Sequence, residues 1–167
     1  MKGGIKMKEK QEQVGMRGFI KIDRFDKSGV LIESVETPNT VVNAGFTEVA
    51  GLFCSDVAGS YTAFDYIGVG TGTAAATYTN TTLGTEITDS GLARAASTGT
   101  LTTENVANDT AQFVKQFSVT ASQAVTESAV FNASSVGKML CRQTFSAINV
   151  ANGDTLQITW KVTVSRP

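Results

Sequence analysis

The sequence predicts an all-β domain: an antiparallel β-sandwich or jelly roll with one short helix near residues 43–54 and an N-terminal arm. Three observations carry that reading. The segment from Thr155 to Val164 alternates strictly, Leu156, Ile158, Trp160, Val162 and Val164 against Thr155, Gln157, Thr159, Lys161 and Thr163, and a period of two sorts these onto one apolar and one polar face. Short segments of the same kind recur between turns that carry Asn, Asp, Ser and Gly, as they do in sandwiches. Only once, between Val42 and Phe53, does the apolar period change to that of a helix.

Residues 1–15 show neither period and read as an arm to a sandwich domain spanning 16–167. Lys2, Lys6, Lys8 and Lys10 lie close to Glu9 and Glu12, in a segment with too little apolar surface to order itself alone. These six are the predicted assembly contacts, suited to an acidic or mixed-charge neighbour. Gly18 to Phe25 and Val30 to Glu36 flank Asp26-Lys27-Ser28-Gly29, whose Asp and Gly fit the first and last places of a turn, so the pair reads as a hairpin. Pro38 then stops the strand. Val42, Phe46, Val49, Ala50 and Phe53 fall at i, i+4, i+7, i+8 and i+11, one stripe of a helix, with Asn43 placed to cap it. Gly45 and Gly51 weaken that helix by up to about 1 kcal/mol each, so it needs a sheet beneath it.

Ala63 to Gly70 is a strand that enters a Gly/Thr/Ala/Asn loop running to Leu83. Gly91 to Thr103 is extended and Thr-rich, and Asn105 to Asp109 turns. Thr110 to Thr120 alternates again through Phe113, Phe117 and Val119. Glu127 to Ala133 and Lys138 to Phe145 surround Ser134-Ser135-Val136-Gly137 as a second hairpin, and Asn152-Gly153-Asp154 turns into the final strand. The predicted core anchors are Phe46, Phe53, Phe113, Phe117, Leu156, Ile158, Trp160 and Val162, each contributing roughly 1.5–3 kcal/mol when buried.

Fourteen Lys and Arg against fifteen Asp and Glu give a net charge of −1 and a pI near 5.4, with no electrostatic footprint for nucleic acid or an anionic membrane. Residues 1–48 hold eight of the cations and seven of the acids, whereas residues 49–114 hold one cation, Arg94. The body is nearly uncharged, and its polar surface must come from Thr, Ser, Asn, Gln and Gly. No apolar run approaches the roughly 18 residues of a membrane helix, and the first ten residues lack a signal-type apolar region, so the expectation is synthesis in the cytosol without general secretion. Cys54 and Cys141 sit in apolar contexts and read as small buried thiols, with a disulfide between them as the alternative.

The chain has no histidine and no nucleophile, metal or nucleotide signature, so the expectation is a protein that is not an enzyme and holds no catalytic residue, metal or cofactor. Gly68-Val69-Gly70-Thr71-Gly72 follows a strand as phosphate loops do, but the Ala74 to Asn80 segment has no amphipathic stripe and no P-loop lysine. It reads as a tight turn or bulge. Glu86, Asp89, Glu104 and Glu127 would serve general acid–base catalysis only if paired and desolvated, and they read instead as solvated acids at strand ends. Asp23, Asp26 and Asp154 lack the spacing of a calcium loop. Of the aromatics around the long loop, Phe64 and Tyr66 suit the core. That leaves Tyr61, Tyr78, Thr79 and Asn80 as a candidate receptor loop for host glycan.

Five segments in order, Asn39-Thr40-Val41-Val42-Asn43-Ala44-Gly45-Phe46, Tyr66-Ile67-Gly68-Val69-Gly70-Thr71-Gly72-Thr73, Leu83-Gly84-Thr85-Glu86, Thr126-Glu127-Ser128-Ala129-Val130-Phe131-Asn132 and Asp154-Thr155-Leu156-Gln157-Ile158-Thr159-Trp160, resemble a group of small structural proteins of tailed bacteriophages. That group includes capsid decoration and tail-fibre proteins, and the resemblance covers roughly residues 18–164. The group often has Gly-Leu-Phe after the Thr-Glu, where this chain has Ser128-Ala129-Val130-Phe131. The resemblance implies a non-enzymatic virion component with a β-sandwich fold, made in the host cytoplasm. The first expectation is a capsid decoration or cement protein that binds the major capsid protein or other virion proteins and forms a homo-oligomer, a trimer being favoured. A tail-fibre, baseplate or receptor-binding module is the alternative.

Overall fold

In the computed structural model, residues 14–52 and 61–165 are described. The strands are β1 Gly15–Phe25, β2 Leu31–Pro38, β3 Thr40–Val41, β4 Tyr66–Gly70, β5 Ala95–Ala96, β6 Thr98–Thr102, β7 Thr110–Ser118, β8 Gln123–Phe131, β9 Met139–Val150 and β10 Thr155–Ser165, with the helix α1 at Asn43–Leu52. They make two antiparallel five-stranded sheets, ordered β2-β1-β10-β7-β6 and β3-β9-β8-β4-β5. The predicted all-β sandwich with one short helix is the observed architecture. The arm expected over residues 1–15 lies outside the described residues except for Val14 and Gly15, and β1 begins at Gly15, earlier than its alternation indicates.

The alternation of the last strand sets the core. Leu156, Ile158, Trp160 and Val162 are buried, and the register places Trp160 between Ile20 of β1 and Phe113 of β7. From the second sheet Ile67, Val69, Val125, Val130, Cys141 and Ile148 close over them. The one polar atom of Trp160 is satisfied across the sandwich: Nε1 donates to Ser128 Oγ at 3.2 Å, and Ser128 Oγ donates to the Gly68 carbonyl at 2.9 Å. Val164, the last member of the apolar set, is 48% exposed. It stands at the rim of an open groove instead of under the opposing sheet.

Phe46 is a correction to the predicted core. It is 46% exposed, while the residues that α1 buries are Gly45 and Glu48. A Cβ on Gly45 would collide with the Leu140 backbone carbonyl, so the missing side chain lets the helix sit directly on β9, and that contact turns Phe46 outward. Glu48 is buried beside Asn132, whose Nδ2 donates to it at 3.3 Å. Asn43 is the first residue of the helix, and the first helical turn is closed by Phe46 N–H donating to the Val42 carbonyl. The predicted end of the helix at 53–54, with the core anchor Phe53 and with Cys54, lies outside the described residues. Phe113 and Phe117 are buried as expected, and Cys141 is a buried free thiol whose ionisation burial pushes well above the ordinary range.

A third layer covers the outer face of the second sheet. Val42, Leu83, Ala129, Phe131 and Met139 form a separate buried cluster there, under the long segment between β4 and β5. This layer positions the site described next.

Candidate functional site

A β-bulge decides what β8 shows to each side. The β8–β9 register shifts between Val125 and Glu127, which lets Val125, Ser128 and Val130 all face the core while Glu127, Ala129 and Phe131 face outward. Glu127 and Arg142 of β9 therefore meet on the outer face of the second sheet, under the loop of residues 71–85. Both are buried, at 0% and 1% exposure. Arg142 Nε and Nη2 reach Glu127 Oε2 at 2.9 and 2.7 Å. A solvated acid at a strand end was the expectation for Glu127, and the third layer overturns it.

The pair holds the loop. Glu127 Oε1 accepts from the backbone N–H of Gly72 at 2.9 Å and of Thr85 at 2.8 Å, and Oε2 accepts from Gly84 N–H at 2.9 Å. Arg142 Nη1 donates to Asn80 Oδ1 and Nη2 to the Ala74 carbonyl, both at 3.0 Å. Thr126 Oγ1 adds a bond to the Gly72 carbonyl at 2.9 Å. Glycine is required where the loop comes closest: a Cβ on Gly70 would lie 2.6 Å from Glu127 Oε1, and one on Gly72 would collide with the same oxygen. The two ends of the loop thus bind an anion, the glycine-rich turn through the one N–H of Gly72 and the far end through Gly84 and Thr85, and the anion is the chain's own carboxylate.

This arrangement fixes the charge state. Burial alone would raise the Glu127 pKa, but the N–H groups of Thr85 and Gly84, the Arg142 guanidinium and the Gly72 N–H outweigh it and hold the carboxyl below its ordinary value. Five donors occupy its two oxygens, so no lone pair is directed at a substrate. The pair works as a latch.

A second pair fixes the far end of the layer. Arg94 Nε and Nη2 donate to Glu86 Oε1 and Oε2, both at 2.7 Å, in the bidentate geometry that suits guanidinium and carboxylate. The same guanidinium lies 3.5 Å from the centroid of Phe131 and donates to the carbonyls of Ala133 and Val136. Glu86 is therefore paired, not solvated. Glu104 and Asp89 lie in exposed loops, Glu104 accepting from Lys161 Nζ at 2.9 Å.

The residues proposed as a receptor loop separate. Tyr78 is 65% exposed and Thr79 is exposed beside it, whereas Asn80 turns inward, accepting from Thr77 N–H and Arg142. The Tyr78 carbonyl accepts from Asn43 N–H, at the start of α1. The Tyr61 ring lies against Gly51, near the other end. At 1.5 Å per residue these two contact points on α1 are roughly 12 Å apart, so Tyr61 and Tyr78 are anchored toward opposite ends of the helix. Phe64 is buried in the main core, and Tyr66 packs on the outer cluster instead. The six charged arm residues proposed for assembly lie outside the described residues.

The aspartates considered for calcium serve the scaffold. Asp23, buried, accepts from Lys21 Nζ at 2.7 Å and Ser34 Oγ at 2.6 Å. Asp154 accepts from Ala151 N–H and Arg24 Nε, which hold it below the ordinary range, and Asp26 closes its own turn through Ser28 and Val30. Among the described residues no three His, Cys, Asp or Glu side chains are grouped to hold a metal ion, and no helix is long and apolar enough to cross a membrane.

Sequence reasoning missed Arg142 and Arg94. The signal for the first was present: Glu127 and Arg142 are lone opposite charges inside apolar runs of two neighbouring strands, where an unpaired charge would be prohibitive. No family model matches the chain, and no curated protein or solved structure matches it.

Proposed function

We propose that this chain is a non-enzymatic structural protein of a tailed-bacteriophage virion, a capsid decoration or cement protein that binds the major capsid protein and associates with copies of itself. The observation that carries the reading is the latch. Glu127 and Arg142, the most deeply buried charges among the described residues, are taken up by each other and by backbone groups; they fix the shape of a surface loop. Presentation of a rigid surface is what repeated contacts on a shell require, since each is weak alone and symmetry multiplies it. The phage resemblance in the five quoted segments points the same way.

One observation favours a receptor-binding role as a second reading: Tyr78 stands exposed on a loop whose backbone is pinned, and an exposed tyrosine face suits a sugar ring. Copy number separates the two. Quantified gels of purified particles should show hundreds of copies of a decoration protein and few of a tail component. Deleting the loop is a poor test because Ala74 and Asn80 complete the Arg142 site, so Tyr78→Ala is the variant for the second reading. Unchanged adsorption to host cells by that variant removes it.

A further inference from the structure

The first sheet has two long edges, and they are built differently. β2 carries Glu33, Glu36 and Pro38, and its register with β1 shifts at Arg24/Phe25; charge, proline and irregularity are the usual means of keeping an edge from pairing. β6, Thr98-Gly99-Thr100-Leu101-Thr102, has none of these. No charged residue lies between Arg94 and Glu104, the β6–β7 register runs without a shift, and residues 98 to 101 are exposed. Among the described residues its second edge pairs with no strand.

We propose that β6 pairs antiparallel with β6 of a second copy across a two-fold axis at Thr100, joining two first sheets into one. The strand is complementary to itself about that point. Thr98 meets Thr102 of the second copy, Thr100 meets Thr100, and Gly99 meets Leu101. Thr–Thr pairs are favourable cross-strand neighbours. Gly99 has nothing within 4 Å of where a Cβ would stand, which leaves room for Leu101 of the second copy, itself 65% exposed in the single chain.

The register sets where that leucine goes. Gly99 lies opposite Phe113, and Leu101 opposite Ala111, so all four share the core-side face. The partner's Leu101 therefore enters an apolar groove of about 410 Å³ lined by Leu101, Ala111, Phe113, Val162 and Val164. β2 offers no such match, because pairing it with itself about Ser34 and Val35 sets Glu33 against Glu36 of the second copy. The result is a dimer, in place of the trimer favoured from the sequence, and it does not depend on the virion reading.

Sedimentation equilibrium of the full chain should show a reversible dimer. Thr100→Lys places two ammonium groups face to face on the axis and should weaken association by about tenfold or more, without moving the urea midpoint measured at a concentration where the parent chain is monomeric. Thr100→Cys should give a disulfide-linked dimer on oxidation, seen against the parent chain on a non-reducing gel. Thr98→Cys, which faces Thr102, should not. A monomer at every concentration, a trimer, a dimer indifferent to Thr100→Lys, or equal cross-linking by both cysteine variants overturns the proposal.

Discussion

Replacing Glu127 by Gln changes one atom and tests the latch. Whichever way the amide is turned, its NH₂ meets donors. At the Oε2 position it faces Gly84 N–H and the Nε and Nη2 of Arg142, and at the Oε1 position it faces the N–H groups of Gly72 and Thr85. The variant also leaves Arg142 buried without a counter-charge. Hydrogen bonds to charged groups contribute roughly 1.5–3 kcal/mol, and breaking a buried pair from one side costs about 3–5 kcal/mol. The oxygen that remains keeps some of its donors, so the expected loss is near the lower end, about 3 kcal/mol. A domain of ordinary stability stays folded after that. The assay is urea unfolding followed by the fluorescence of Trp160, the single tryptophan, with amide exchange at Gly72, Gly84 and Thr85 as the local readout. A loss within about 0.5 kcal/mol, the usual effect at a solvated surface site, with unchanged exchange at those amides, would refute the latch.

Acid should act through the same groups. The carboxyls of Glu127 and Asp154 are held below their ordinary range in the folded state, so their stabilisation is present above that range and is lost as pH falls through the lowered values. Stability measured by urea midpoint should hold near neutrality and fall below about pH 4.5, and the Glu127→Gln variant should show a shallower fall; an equal slope would discount Glu127. Trp160→Ala should cost about 3–5 kcal/mol from its volume alone, against less than about 1 kcal/mol for Lys161→Ala, whose partner Glu104 is exposed; equal urea midpoint shifts would mean that the register of β10 is wrong. Gly45→Ala should destabilise by about 1–3 kcal/mol by forcing α1 off Leu140, whereas Phe46→Leu, which keeps an apolar side chain at a half-exposed site, should cost less than about 1 kcal/mol. The reverse ranking in thermal melts would restore Phe46 to the core.

The strands were readable because one of their faces is dry and the other wet. β10 shows this best: Thr155, Gln157, Thr159 and Lys161 are only half-buried on the outer face, and its alternation names the buried set down to Val162. β8 was unreadable for the opposite reason. The third layer dries its outer face too, the run from Val125 to Phe131 is buried throughout, and the bulge shifts its phase, so alternation carries no information there. The same layer hides Glu127 and Arg142, since it is an irregular loop held largely by backbone N–H and C=O groups, which carry no mark in the sequence. Helical period located α1 but misplaced Phe46, because the facing decision was made by Gly45, a residue with no hydrophobicity to register. Glycines at 70 and 72 looked like a turn, and only the position of a carboxylate 55 residues further along the chain from Gly72 explains why side chains are excluded there.

The proposal that the chain is a repeated component of a virion shell is tested by electron cryomicroscopy of the purified particle. The two-sheet domain is expected at symmetry-related positions over the capsid, with the 71–85 loop in its latched conformation and the charged arm in contact with a shell protein. Absence of the chain from purified particles would contradict the claim, and so would its confinement to a few copies at the tail.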